Sequence, residues 1–206
     1  MEPVMNHPLP NKKAGLRKEM LRRRAALDIT VVQEISASLF PRLRDFIRST
    51  AGKNRTEPLT VMSYMSHKNE FPTIDLNREI LRLGWRLVLP YTDSSFEISV
   101  CIVESLDTLH LSPMGILEPD PSASAQIQAS DADLILLPGV AFDLQGRRLG
   151  YGKGCYDRFL TRTDGPLPVT AALTWSFQIA GQVPAEKHDI PCDYLITENQ
   201  IIKTSR

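Results

Sequence analysis

Cysteine is scarce in this chain. Cys101, Cys155 and Cys192 are the only three in 206 residues, an odd number with no CxxC pair among them. A disulfide framework and a thiol-based metal or redox motif are therefore excluded, and a reducing, cytoplasmic setting is expected. Histidine is similarly thin, four residues too scattered to build a zinc cluster. No stretch approaches the ~20 apolar residues that span a bilayer. The start, MEPVMNHPLPNKK, carries Pro3, Pro8 and Pro10 where a secretion signal would need an apolar core. Net charge is missing too: 24 basic side chains balance 24 acidic ones, so no overall field favours a nucleic acid.

That balance hides a regional absence. No Lys or Arg occurs between Arg86 and Arg147, whereas Lys12, Lys13, Arg17, Lys18, Arg22, Arg23 and Arg24 crowd the beginning. An anionic ligand would find positive charge at the two places where bases gather.

Hydrophobic residues at 42% and charged residues at 23% describe a globular protein. The length suits one α/β domain over residues 12–206 behind a loose tail of residues 1–11. After the tail, KKAGLRKEMLRRRAAL reads as a helix with Leu16, Met20, Leu21 and Leu27 on one side and bases over the rest. A second helix is expected from about Thr30, as cap, to Ile47, with a kink or break at Pro41. The run 51–58 is turn-like. Residues 59–65 read as a strand, 74–83 as a helix, 85–91 and 96–103 as strands, and LSPMGILEPDPSASAQ as an irregular surface excursion. Residues 133–137, DLILL, do not alternate, as befits a strand covered on both faces in a parallel sheet. A helix over 156–163 and strands over 169–175 and 194–197 complete an α/β succession, which right-handed crossovers build into a mostly parallel sheet.

Directly after the buried strand comes GVAFDLQGRRLGYGKGCYDRFL, where Gly139, Gly146, Gly150, Gly152 and Gly154 surround Arg147, Arg148 and Lys153. Glycines let a backbone approach a ligand closely, and such a loop leading into a helix can hold phosphate. Ligands of open parallel sheets sit beyond the carboxyl ends of the strands, where this loop lies. It matches neither GxxxxGK[ST] nor GxGxxG, so neither standard nucleotide motif applies. Each base alone reads equally well as a solvated charge; the combination points to a phosphate-bearing ligand. Asp157 is a candidate ligand of a divalent ion, with Asp189 or Asp193 as its distant partner. His188 beside Asp189 is a weaker acid/base candidate, and Cys155 reads as a small packing residue.

The segment PGVAFDLQGRRLGYGKGCYDRFL, with KKAGLR, YMSHKNEFPT and VPAEKHDIPCDYLIT in the same order, closely resembles the 5-formyltetrahydrofolate cyclo-ligase family from about Lys12 to Thr197. The resemblance implies a single three-layer α/β/α domain with a mostly parallel central sheet. It also implies ATP- and Mg²⁺-dependent closure of 5-formyltetrahydrofolate to 5,10-methenyltetrahydrofolate, in which the formyl oxygen is phosphorylated and N10 attacks. Carried over residue by residue, it places Lys13, Arg17 and the run Arg148, Leu149, Gly150, Tyr151, Gly152, Lys153, Gly154, Cys155 and Tyr156 at the nucleotide. Arg148 and Lys153 then act in catalysis, Met65, Glu70, Tyr151 and Trp175 meet the folate, and Asp157 and Asp189 hold Mg²⁺. Trp175 reads equally as core. Lys13 and Arg17, four apart, share a helix face and can grip one polyanion. The pattern departs at Cys155, where the family usually has tyrosine. A monomer acting on a small folate, with or without a polyglutamate tail, is expected, with neither nucleic acid nor membrane as partner. Two rivals remain: a sugar-phosphate isomerase or transferase with Glu70 as base, and a non-enzymatic nucleotide- or folate-binding module.

Overall fold

The computed structural model describes residues 8–50, 58–186 and 189–205. Eight strands form the main sheet: β1 (Thr60–Met62), β2 (Arg86–Thr92), β3 (Ile98–Val103), β4 (Gln126–Ile127), β5 (Leu134–Leu137), β6 (Val169–Leu173), β7 (Tyr194–Ile196) and β8 (Ile201–Lys203). Their spatial order is β8-β7-β6-β5-β1-β2-β3-β4. The central run β7-β6-β5-β1-β2 is parallel, and the outer pairs are antiparallel. The sheet is thus mostly parallel as expected, with hairpins at both edges. The final strand β8 was not apparent in the sequence.

Strand β5 accounts for the missing alternation. Leu134 and Leu136 pack with Val61, Leu87 and Ala171 beneath residues of helices α2 (Ile29–Thr50) and α3 (Ile74–Arg82). Ile135 and Leu137 face the other way, toward Met62, Val88, Ala172 and the Phe159 and Leu160 side chains of α4 (Cys155–Thr161). All four β5 residues are fully buried, and each contributes about 1.5–3 kcal/mol of hydrophobic stabilisation. Two apolar faces of one strand, each under helices, make three α/β/α layers.

Helix α1 (Pro8–Ala25) lies against a short antiparallel ribbon, Ala141–Phe142 with Arg148–Leu149, through Leu16, Met20 and Leu21. It starts at Pro8, inside the stretch expected to be tail, because prolines in a first helical turn lose no hydrogen bond that the turn would make. Its inward stripe is not purely apolar, for Lys13, Arg17 and Arg24 share it. Helix α2 runs without a break past Pro41, with Leu39, Leu43, Phe46 and Ile47 buried on both sides of the proline. Its start is held by Asp28, whose Oδ1 accepts the Thr30 N–H at 2.7 Å, so Asp28 and not Thr30 is the cap. The excursion after β3 contains a second ribbon, His110–Leu111 with Leu117–Glu118. The turn-like run before β1 (51–57), residues 1–7 and His188 lie outside the described residues. No helix among the described residues is long and apolar enough to cross a membrane.

Candidate functional site

The chain leaves β1 for β2 on one side of the sheet and later enters β5 on the other side of β1. The loops after β1 and β5 therefore diverge at a topological switch point, where open parallel sheets bind ligands. A cleft of about 390 Å³ opens there. The β1 loop contributes Tyr64, Met65, His67 and Glu70, and the glycine-rich segment contributes Arg148, Gly150, Tyr151, Lys153, Gly154, Cys155, Tyr156 and Asp157. Met114, Ile116, Leu117 and Glu118 of the second ribbon form a further wall.

The two arginines of the segment part company. Asp143, fully buried, accepts the backbone N–H groups of Gln145, Arg147 and Val183 and the Nε of Arg147. Arg147 is thus a structural counter-charge. Gly146 at φ +78° completes that turn, and a Cβ there would stand 2.2 Å from the Cys192 carbonyl oxygen, so only glycine fits. Arg148 points into the cleft. Its Nη2 donates to Asp157 Oδ1 at 2.7 Å, and its guanidinium lies 5.5 Å from the centre of the Tyr156 ring. Arg148 Nε is buried and has no hydrogen-bond partner among the described residues.

Lys153 rests over the Phe96 ring at 4.5 Å and makes no ion pair among the described residues. Its loop is tied down by Arg158, which donates to the Lys153 and Phe96 carbonyl oxygens at 2.7 and 2.8 Å and to Glu97 at 2.8 Å. Phe96 itself has φ +61°, a left-handed conformation rare outside glycine. A Cβ built on Gly150 would meet nothing within 4 Å, so packing does not demand glycine there; close approach by a ligand would.

Helix α1 closes the loop from behind. Arg17 Nε donates to the Gly150 carbonyl at 3.0 Å, and its guanidinium lies against Gly152. Lys13 is drawn instead to Glu186 at 2.8 Å and Asp189 at 3.3 Å. Burial works against its charge, but the hydrogen bonds and fields of those two acids outweigh it and raise its pKa. Asp189 is therefore paired with Lys13 and does not line the cleft, whereas Asp157 does. Among the described residues no group of three or more His, Cys, Asp or Glu is placed to hold a metal.

Glu70 is buried, and its charge is met from two sides. Its Oε2 accepts the His67 N–H at 2.9 Å, and its Oε1 accepts the Tyr151 hydroxyl. Arg24, 4% exposed, donates to that same hydroxyl at 2.8 Å and approaches Glu70 Oε1 at 4.0 Å. Burial, then the Glu70 charge, pushes the Tyr151 phenol up, so it stays a neutral donor at physiological pH. Arg24 is the residue that sequence reasoning missed. Positions 13, 17 and 24 fall four and seven apart on one helical face, and that spacing extended beyond Arg17 would have found it. Arg158 was also missed, and no spacing signals it.

Besides Lys13, Arg17 and Asp189, the sequence-derived site residues Gly152, Trp175 and Leu149 do not line the cleft. Trp175 is core, 2% exposed, with its ring 4.9 Å from Phe71 and its N–H donating to the Asn69 carbonyl. It supports the Glu70 loop from behind and does not stack on a ligand. Leu149 is 3% exposed and packs under α1, so only its backbone could serve a ligand.

Comparison with known proteins was made against this geometry. The model of the 5-formyltetrahydrofolate cyclo-ligase family matches residues 10–198. The 5-formyltetrahydrofolate cyclo-ligase of Saccharomyces cerevisiae is 30% identical, the match covering 89% of this chain and 94% of that one. The solved 5,10-methenyltetrahydrofolate synthetase of Aquifex aeolicus superimposes with a TM-score of 0.76 at 31% identity, over 94% of this chain and 93% of its own. That of Mycoplasma pneumoniae gives 0.70 at 26% identity, over 90% and 98%.

Proposed function

The chain belongs to the 5-formyltetrahydrofolate cyclo-ligase family, and from that premise we propose how its cleft closes 5-formyltetrahydrofolate to 5,10-methenyltetrahydrofolate. The reading rests on one observation: a single cleft joins a cationic end, Arg148 and Lys153, to an apolar end that carries buried carboxylates.

The cationic end fits a nucleoside triphosphate. Arg148 holds an unpartnered buried Nε, Lys153 is parked on a ring it can leave, and Gly150 opens onto free space. ATP supplies a phosphoryl group that turns the poor-leaving formyl oxygen into a good leaving group, so that N10 of the same molecule can close the ring. Arg148 and Lys153 neutralise charge on the transferring group, and Arg17 keeps the loop backbone in place. Asp157 is a suitable single carboxylate for Mg²⁺, which takes one or two protein carboxylates along with phosphate oxygens and water. Asp189 assists by holding Lys13, which shares a face of α1 with Arg17.

Met65 and the Glu70–Tyr151–Arg24 group hold the folate. A fixed negative charge beside a neutral phenol suits the donor-rich ring and orients it without moving a proton. The two reacting nitrogens belong to one molecule, so no protein nucleophile is required and placement is the main task of the protein.

Purified protein mixed with 5-formyltetrahydrofolate, Mg²⁺ and ATP is expected to give the absorbance of the methenyl product, and none without ATP. Product formed at the same rate without ATP would overturn the phosphorylation reading. Tight binding of both ligands with no product would make the chain a binding module instead.

A further inference from the structure

The cleft contains a second acid that the reaction described above does not use. Glu118 ends the ribbon strand Leu117–Glu118, opposite His110, and lines the same cleft as Glu70 and Arg148. It is 4% exposed, and its Oε2 is buried without a hydrogen-bond partner among the described residues. Its neighbours along that wall are apolar: Met114, Ile116, Leu117 and, across from them, Ile98. Tyr156, Glu70 and Glu118 line the same cleft.

The two carboxylates differ in what they still lack. Each oxygen of Glu70 already has a donor from the protein, the Tyr151 hydroxyl on one and the His67 N–H on the other. Glu118 Oε2 has none. Leaving a buried acceptor unsatisfied costs about 1–3 kcal/mol, and more for a charged group, so native proteins keep such atoms where something else satisfies them. A ligand in the cleft is the available donor. A carboxylate in an apolar wall matches a planar ligand edge carrying two adjacent N–H donors, because two parallel N–H···O bonds fix both position and plane.

We propose that Glu118 is the specificity-determining carboxylate for the pterin, accepting the N3–H and 2-amino donors of its aminopyrimidinone edge. This rests on the folate reading of the cleft. It assigns the ring edge to the ribbon His110–Glu118 and leaves Glu70 to hold Tyr151 and meet a donor elsewhere on the reduced ring. The ribbon's apolar Ile116 and Met114 then lie along the ring face. A site built to bond a donor rejects an analogue lacking it far more strongly than an apolar pocket rejects a change of size.

The test is titration calorimetry of the whole chain without nucleotide, using 5-formyltetrahydrofolate and its analogue with the 2-amino group replaced by methyl. Glu118→Gln keeps the shape and should weaken 5-formyltetrahydrofolate by about tenfold or more, while the analogue, which keeps the N3–H donor alone, loses clearly less. Glu118→Asp, which keeps the charge but withdraws it by one methylene, should fall between wild type and Gln for 5-formyltetrahydrofolate. ATP affinity, measured separately, reports that each variant is folded. Binding of 5-formyltetrahydrofolate to Glu118→Gln within about twofold of wild type would overturn the assignment. So would an equal loss for both compounds, since that pattern reports shape and not the donor. Wild type that binds neither compound would instead overturn the folate reading itself.

Discussion

Arg147 and Arg148 are adjacent in the chain, yet the ribbon sends one guanidinium to Asp143 beneath the turn and the other into the cleft beside Asp157. Successive side chains of an extended backbone face opposite ways, so two equal charges acquire unequal duties. Arg147 neutralises an acid that already accepts three backbone N–H groups, and nothing about that cluster asks for a ligand. Arg148 has one bonded edge and one orphaned nitrogen. Satisfied charge marks the frame, and unsatisfied charge marks the site. Within the cleft Glu70 and Glu118 differ in the same respect, both oxygens of the first having protein donors and Oε2 of the second having none among the described residues.

The comparison can be broken at its strongest point with Lys153→Ala. Turnover should fall by about 10²–10³-fold, the usual cost of removing a group that stabilises transition-state charge. Stability should move by less than ~0.5 kcal/mol, because Lys153 makes no ion pair among the described residues. Steady-state rates and a denaturant melt of the same preparation would show it, and unchanged turnover would remove Lys153 from the site. On the frame side, Asp143→Ala strands three N–H groups and Arg147 and should destabilise by about 3–5 kcal/mol. Turnover per folded molecule, measured well below the melting midpoint, should stay near wild type.

A smaller effect sharpens the Glu118 side. Burial raises the Glu118 pKa, only partly opposed by the Thr92 backbone N–H and His110. A carboxyl raised in the folded state favours folding when protonated. That contribution is complete below the ordinary carboxylate range and is lost as pH rises through the raised value. Denaturant melts of wild type and Glu118→Gln should therefore diverge as pH rises above the ordinary carboxylate range, wild type losing stability relative to the variant. Parallel curves would mean that the Glu118 carboxyl is as well solvated folded as unfolded.

Much of this frame was legible from residue pattern. Unbroken apolarity announced β5 as a central strand, and glycines with bases after it announced the loop, because both depend on local composition. The same local view misjudged Pro41, since packing of Leu39, Leu43 and Phe46 outweighs one lost helical hydrogen bond. Glu118 was hidden inside a segment that reads as irregular, and its orphaned oxygen exists only once the ribbon packs against β2. Arg24 required following a helical face for two more turns. Trp175, an aromatic residue after a strand, read equally as ligand contact and as core, and its burial against Phe71 assigns it to the core.

Titrating Mg²⁺·ATP into Arg148→Met and Arg147→Met tests the division of labour most directly. The Arg148 variant should bind at least about tenfold more weakly with little change in its melt, the size expected for a charged hydrogen bond to phosphate. The Arg147 variant should bind like wild type and unfold at lower denaturant. Wild-type affinity in the Arg148 variant would contradict the account.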